Sequence, residues 1–241
     1  MNSSNEKQLV VITGASSGIG RAIAKGAIDA GYQVLGIAKN PDKAQLDHPD
    51  FSSHSIDLAD LDALPERLAE LIAGIDLPVK ALINNAGIGR MGFLEQLSIN
   101  DIRLLLDTNL TSQILLTKAF LPMLKKQGEG DILFMGSEAA LRGARQGSIY
   151  CASKFAIRGF SQALREECGK SGVRVTLINP GAVRTPFFEK LQFEPDLAPE
   201  HAIEPDDIAI AAMMVLASRQ GTVFDEITLS PRNQVWRKKD A

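Results

Sequence analysis

Apolar and polar positions along this chain switch repeatedly between two periods. Leu9-Val-Val-Ile-Thr13 is a short continuous apolar run that ends in a glycine-rich turn. From Ile19 the apolar or small residues fall at 19, 22, 23, 26, 27 and 30, the helical period, and Gly31 stops that helix. The alternation then recurs. Residues 33–38, 54–56, 79–83, 131–135, 173–178 and 226–229 read as strands. Helical stretches are expected over 60–73, with Pro65 in an early turn, and over about 100–126, with Pro122 kinking or ending it. Two more helices are expected, at 148–169 and from Pro205. The run from Ile208 to Ala217 is too short to span a bilayer and reads as a buried helix. Strands this apolar, each followed by a helix, predict an α/β fold with a doubly wound parallel sheet and helices on both faces. No linker, repeat or low-complexity segment divides the chain, so residues 1–241 read as one domain.

Composition narrows the picture by exclusion. Across 241 residues, 45% are apolar and 23% charged, ordinary for a soluble globular protein. The net charge of -3 gives no electrostatic reason to expect nucleic acid. The basic cluster Arg237-Lys-Lys239 reads as a solvated tail. Cys151 and Cys168 suggest neither a disulfide framework nor a metal site, and His48, His54 and His201 lack ligand spacing. The polar N-terminal stretch, residues 1–8, is no signal peptide, so a cytoplasmic protein with no membrane partner is expected.

The first chemical signal is the turn at 13–20. Gly14, Gly18 and Gly20 are spaced G-x-x-x-G-x-G, with Ser16, Ser17 and Ile19 between them. Glycines at a strand-to-helix turn let a pyrophosphate approach the backbone, and the helix N-terminus adds free N–H groups. The spacing departs from the generic dinucleotide pattern, and a purely packing role is the plainer alternative. At the end of the second strand, where a carboxylate would bond the ribose of NAD, stand Ala38 and Lys39. A lysine there can attract a 2′-phosphate. This favours NADP(H), without excluding NAD(H).

The second signal is Ser137 followed by Tyr150 and Lys154. Four residues is about one helical turn, so the last two share a helix face. A lysine beside a phenol should pull the phenol's pKa down from about 10, making it an acid and base for neutral pH. Taken singly, a helix tyrosine packs, a serine caps a turn, and Asn109 makes a polar contact inside a helix.

Together these residues resemble the short-chain dehydrogenase/reductase family, in its shorter single-domain branch with a Rossmann-like fold. The resemblance runs from about residue 8 to 230. It rests on Thr13-Gly-x-x-x-Gly-x-Gly20, Asn84-Asn-Ala-Gly87, Asn109, Ser137, Tyr150-x-x-x-Lys154 and Pro180-Gly181 with Thr185. The resemblance implies that Tyr150 is the general acid/base, that Lys154 binds the nicotinamide ribose and lowers the tyrosine pKa, that Ser137 bonds the substrate oxygen, and that Asn109 holds a relay water. It also implies that Asp57 contacts adenine, that Asn85, Ala86 and Gly87 line the cofactor, and that Pro180, Gly181, Val183 and Thr185 border the nicotinamide.

The expected activity is hydride transfer between NADP(H) and a carbonyl or secondary alcohol. The alternative is a nonenzymatic NADP(H)-binding sensor of the same fold. Residues 187–204, with Phe187, Phe188, Leu191, Phe193 and Leu197, read as a mobile lid over an apolar pocket, or as a helix that simply covers the core. Arg90, Arg142 and Arg145 are candidates to contact an anionic group. The resemblance also implies a homo-oligomer, dimer or tetramer, formed through the two long helices.

Overall fold

The computed structural model describes residues 7–44 and 46–239, so the N-terminal stretch read as no signal peptide lies, but for Lys7 and Gln8, outside the described residues. The elements follow in chain order: β1 Leu9–Thr13, α1 Gly18–Asp29, β2 Gln33–Ala38, β3 Phe51–Ser55, α2 Leu64–Ala73, β4 Val79–Asn84, α3 Ile99–Leu106, α4 Ser112–Gln127, β5 Gly130–Met135, α5 Ser148–Cys168, β6 Val173–Pro180, β7 Phe193–Pro195, α6 Pro205–Ala217, β8 Glu226–Leu229 and β9 Trp236–Lys238. Seven strands form one parallel sheet in the order β3-β2-β1-β4-β5-β6-β8. From β1 the chain winds outward through β2 and β3, then returns to β4 on the other side. A crevice therefore opens at the carboxyl ends of β1 and β4, where ligands bind in sheets of this kind.

The period-2 geometry of the strands explains their unbroken apolar sequences. Val10 and Ile12 face a core with Ile83, Leu133, Ile178, Ile23 of α1 and Ile208 of α6. Val11 points the other way, to Leu82, Ile132 and Phe134, Leu116 and Phe120 of α4, and Ile157 of α5. Both faces are covered, so both sets must be apolar.

Four expectations need correction. Residues 99–127 are helical, but the interruption is a π-helical turn over Asp107–Thr111, not a break at Pro122. Pro122 and Lys118, whose carbonyl the proline cannot bond, are both exposed. The exposed side of a helix tolerates an unbonded carbonyl, and α4 runs through. The helix expected from residue 60 starts at Leu64, with Pro65 in its first turn. The helix α6 is buried on one side only, since Ile210 is 68% and Met214 46% exposed. Lastly, Arg237-Lys-Lys239 is no free tail. β9 pairs antiparallel with β7, Arg237 forms an ion pair with Glu194, and the Lys239 ammonium donates to the Phe188 carbonyl at 2.5 Å. Among the described residues, no helix is long and apolar enough to cross a membrane.

Candidate active site

The glycine turn leads from β1 straight into α1. Gly14 and Gly18 sit at φ 69° and 50°, the left-handed region where a side chain is strained. Ser17 is the N-cap, but its side chain makes no capping bond and the first turn of α1 has no acid. The turn's N–H groups and the positive end of the helix thus face the crevice with no anion of the protein's own. That is a cradle into which a pyrophosphate fits. The loop after β4 is fastened beside it. Thr13 Oγ1 accepts from the N–H groups of Asn85 and Ala86, both at 3.0 Å, and the Asn85 side chain donates to the Thr13 carbonyl at 2.8 Å. Across the crevice, a Cβ on Gly18 would lie 3.0 Å from Thr185. Ser16 to Gly20, Asn85 to Gly87 and Thr185 therefore ring one opening, while Pro180 and Val183 are buried at the end of β6 and beyond it.

At the other end of the crevice Lys39 follows β2 and meets Asp57, which follows β3. Their side chains are paired at 2.5 Å. Pairing with Lys39 holds the Asp57 carboxyl below its ordinary range, and pairing with Asp57 holds the largely exposed Lys39 above its own. A groove of about 280 Å³ adjoins them, lined by Ser55, Ile56, Asp57, Asp60 and Arg67.

The third cluster sits at the ends of β4 and β5. Asn109, fully buried in the π turn, bonds Ile88 twice: its Oδ1 accepts from the Ile88 N–H at 2.8 Å and its Nδ2 donates to the Ile88 carbonyl at 2.9 Å. A Cβ on Gly87 would lie 3.3 Å from Asn109 Oδ1 and 3.7 Å from the Lys154 ammonium, so the three meet at one point. The ammonium donates to the Met135 carbonyl at 2.8 Å and stands 5.8 Å from the centre of the Tyr150 ring. Ser137 follows β5 in extended backbone and caps the short 3-10 turn Glu138–Ala140, accepting from the Ala139 N–H at 3.1 Å. Its hydroxyl is close enough to Tyr150 to pull that phenol's pKa down. The structure thus brings Asn109, Ser137, Tyr150 and Lys154 together from three separate elements.

The expected effect of Lys154 on Tyr150 is not what the structure shows. Burial pushes the phenol up to about 12, the nearby Ser137 hydroxyl pulls the other way, and Cys151 and Glu138 push it further up. Burial pulls the Lys154 ammonium down to about 8. Desolvation disfavours both charged forms, and it outweighs an ammonium whose bond goes to a carbonyl.

The three arginines have other company. Arg90 pairs with Asp101 at 3.2 Å, Arg142 with Glu138 at 3.1 Å, and the Arg145 guanidinium lies over the Phe93 ring at 5.1 Å. The segment 187–204 is not a helix. It holds the short turns Pro186–Phe188 and Pro199–His201 with β7 between them. Its Phe187 ring lies 5.8 Å from the Tyr150 ring.

Sequence reasoning missed several supports. Asn179, fully buried on β6, accepts from the Ser137 N–H at 3.3 Å. Gln113 donates to the Ala86 carbonyl at 3.0 Å. Gln234, near the C-terminus, donates to Glu138 beside Ser137. The signal for Asn179 was visible: it is an amide in an otherwise apolar strand end. Gln234 had none.

A doubly wound sheet, an uncapped phosphate cradle and a Ser-Tyr-Lys cluster at the strand ends define a nucleotide-dependent oxidoreductase architecture. The chain belongs to the short-chain dehydrogenase/reductase family: the family model for short chain dehydrogenase matches residues 8–195. Sepiapterin reductase from Chlorobaculum tepidum is 33% identical, with 93% of this chain and 96% of that protein aligned. Among solved structures, an alcohol dehydrogenase from Thermococcus sibiricus complexed with 5-hydroxy-NADP superposes with TM-score 0.83 at 29% identity, covering 93% of this chain and 96% of that one. A protein from Beutenbergia cavernae assigned as an NAD(P)-dependent gluconate 5-dehydrogenase, with NADP bound at low occupancy, gives TM-score 0.83 at 29% identity, covering 95% and 97%.

Proposed function

We propose that this protein is an NADP(H)-dependent oxidoreductase that interconverts a carbonyl and a secondary alcohol, the whole chain acting as one cofactor-binding and catalytic domain. The observation that carries the reading is the meeting of Ser137, Tyr150, Lys154 and Asn109 at the strand ends, across the crevice from an uncapped helix N-terminus. NADP(H), when bound, supplies or accepts the hydride. The cradle Gly14, Ser16, Ser17, Gly18, Ile19 and Gly20 would hold its pyrophosphate, and Lys39 its 2′-phosphate. Asp57 would sit at the adenine, beside the groove that it lines. Asn85, Ala86, Gly87, Pro180, Gly181, Val183 and Thr185 would border the rest. The NADP named with two solved relatives agrees with the Lys39 reading.

Tyr150 holds its proton at neutral pH and donates it to the carbonyl oxygen as negative charge grows there. Ser137 donates a second hydrogen bond to that oxygen. Both bonds strengthen as charge develops, so they stabilise the transition state selectively. Lys154 and Asn109 lie behind the tyrosine, next to Gly87, where a proton can be returned to it.

The test is Tyr150→Phe. It keeps NADPH affinity and loses turnover by at least about a hundredfold. A phenylalanine variant with full turnover would refute the assignment. NADPH binding by the wild type with no turnover of any carbonyl would instead make the protein a nonenzymatic binder. We further infer a cytoplasmic homo-oligomer. The exposed apolar Ile99 and Leu104 of α3 and Phe155 of α5 support it, on the long helices through which such an assembly would form. Light scattering at a monomer mass would remove that part.

A further inference from the structure

Apart from the Lys154 ammonium, an apolar cluster packs around Tyr150. Leu105, Ala139 and Cys151 are buried against it, with Met91, Ile149 and Phe187 packed on them. Phe187 differs from the rest because it reaches across the crevice. It leaves the loop after β6 and ends on the loop after β4, where a Cβ on Gly89 would lie only 2.6 Å from its Cζ. Its ring is tilted 56° to that of Tyr150. The phenyl group is therefore wedged in a slot one ring thick, between Gly89 and the phenol that must meet the substrate oxygen. No larger residue than glycine at 89 would leave the slot open.

The wedge is weakly fastened at its base. The turn Pro186–Phe188 is capped by Thr185 Oγ1 through a long bond of 3.4 Å from the Phe187 N–H. Phe188, the next residue, is held by Trp236 of β9, with ring centres 5.6 Å apart, and Phe193 of β7 joins them. Phe187 also packs edge-on against Phe188, with ring centres 5.2 Å apart, so its departure reaches the Phe188–Trp236 contact. The three arginines near this end have partners in Asp101, Glu138 and Phe93.

We propose that Phe187 selects the substrate: its ring stands where the larger substituent of the reacting carbon lies, and it yields that place to a flat, neutral, apolar group about one ring in size. Aryl ketones are then the favoured class. An incoming ring replaces the contacts that Phe187 gives up, whereas a small aliphatic ketone leaves them unmade. The inference rests on the reductase reading above.

The experiment uses the full chain with saturating NADPH and three methyl ketones: 2-butanone, acetophenone and 2-acetonaphthone. The wild type should favour acetophenone over 2-butanone by about tenfold or more in kcat/KM. Phe187→Ala should raise the ratio of 2-acetonaphthone to acetophenone by about tenfold or more, with NADPH affinity unchanged. Phe187→Leu, which keeps an apolar group on Tyr150, should give an intermediate ratio and covers a loop loosened by alanine. Unchanged ratios in both variants, or a wild-type preference for 2-butanone, overturn the proposal. A second readout is free of turnover. Trp236 is the one tryptophan of the chain and touches Phe188, so acetophenone that displaces Phe187 should shift its emission in the wild type but not in Phe187→Ala. If no ketone is reduced but the emission shift is present, the reductase reading fails and the Phe187 slot stands. If ketones are reduced and no shift occurs, the slot is wrong and the reductase stands.

Discussion

Asn109→Leu separates holding a loop from handling a proton. The side chain is fully buried and makes its two shorter hydrogen bonds to one residue, Ile88, as a neighbouring strand would, with a third, at 3.5 Å, donated to Ser153 Oγ. Leucine has nearly the same shape but none of these bonds. The Ile88 N–H and carbonyl would both be left unpaired in the interior, each costing about 1–3 kcal/mol. The summed loss, on the order of 2–6 kcal/mol, is a large part of a typical stability of about 5–15 kcal/mol. The local effect should be sharper than the global one. With every 1.4 kcal/mol worth about tenfold, exchange of the Ile88 amide hydrogen should quicken by about tenfold to a hundredfold beyond the change in the sheet. Hydrogen exchange with urea unfolding reads both. Because Gly87 and Gly89 flank Ile88, turnover should fall as the loop loosens. The reasoning is refuted if turnover collapses while the Ile88 amide stays as protected as in the wild type. Asn109 would then act on the proton and not through the loop.

Further outcomes follow from other contacts. Lys39→Ala should weaken NADPH about tenfold or more and leave NADH nearly unchanged, since one charge-assisted bond is lost, as paired fluorescence titrations would show. Asp131 is buried between Arg174, at 2.6 Å, and Lys80, at 2.9 Å. Asp131→Asn leaves two cations facing a neutral amide and should cost about 3–5 kcal/mol in urea unfolding. It should spare NADPH affinity, because Ser137 lies six residues along the strand, about 20 Å away. Ending the chain after Pro231 removes Gln234 and β9, and should raise KM for the carbonyl with NADPH affinity intact; unchanged kinetics would show that β9 does not steady the segment 187–204. Lys154 titrates near 8 in the fold against an ordinary 10.5, so the unfolded chain binds more protons between these values. Stability should therefore rise with pH across that window, by about 3 kcal/mol at most, and Lys154→Met should abolish the rise in urea unfolding series.

The parts legible in the sequence were those where chemistry restricts the residue. A turn with positive φ at Gly14 and Gly18 admits little else, and a strand covered on both faces must read as an apolar run. Tyr150 and Lys154 were legible because one helical turn separates them. The interruption of the long helix was assigned to Pro122, the residue with a local rule, whereas it falls at the turn that carries Asn109 to its long-range bonds with Ile88. The strand β9 carried no local signal at all. Three mostly charged residues near a chain end look like a tail until β7, more than 40 positions earlier, supplies the partner.

The same reason explains the error over Tyr150. Spacing shows that an ammonium is near a phenol; it does not show that both are buried, or that the ammonium's bond goes to the Met135 carbonyl. Burial pushes each group toward its neutral form, leaving the phenol with its proton. That state suits one direction of the chemistry more than the other. In the role we propose, a protonated Tyr150 would be ready to give its proton to a carbonyl oxygen, whereas taking one from an alcohol would first require a phenolate that burial opposes. Glu138 opposes it too, and Glu138 is held by Arg142 and by Gln234 from the C-terminal segment. On the proposed mechanism, the residues around the tyrosine keep in place the proton that carbonyl reduction needs, and part of that hold comes from a stretch of chain that the sequence motifs do not include.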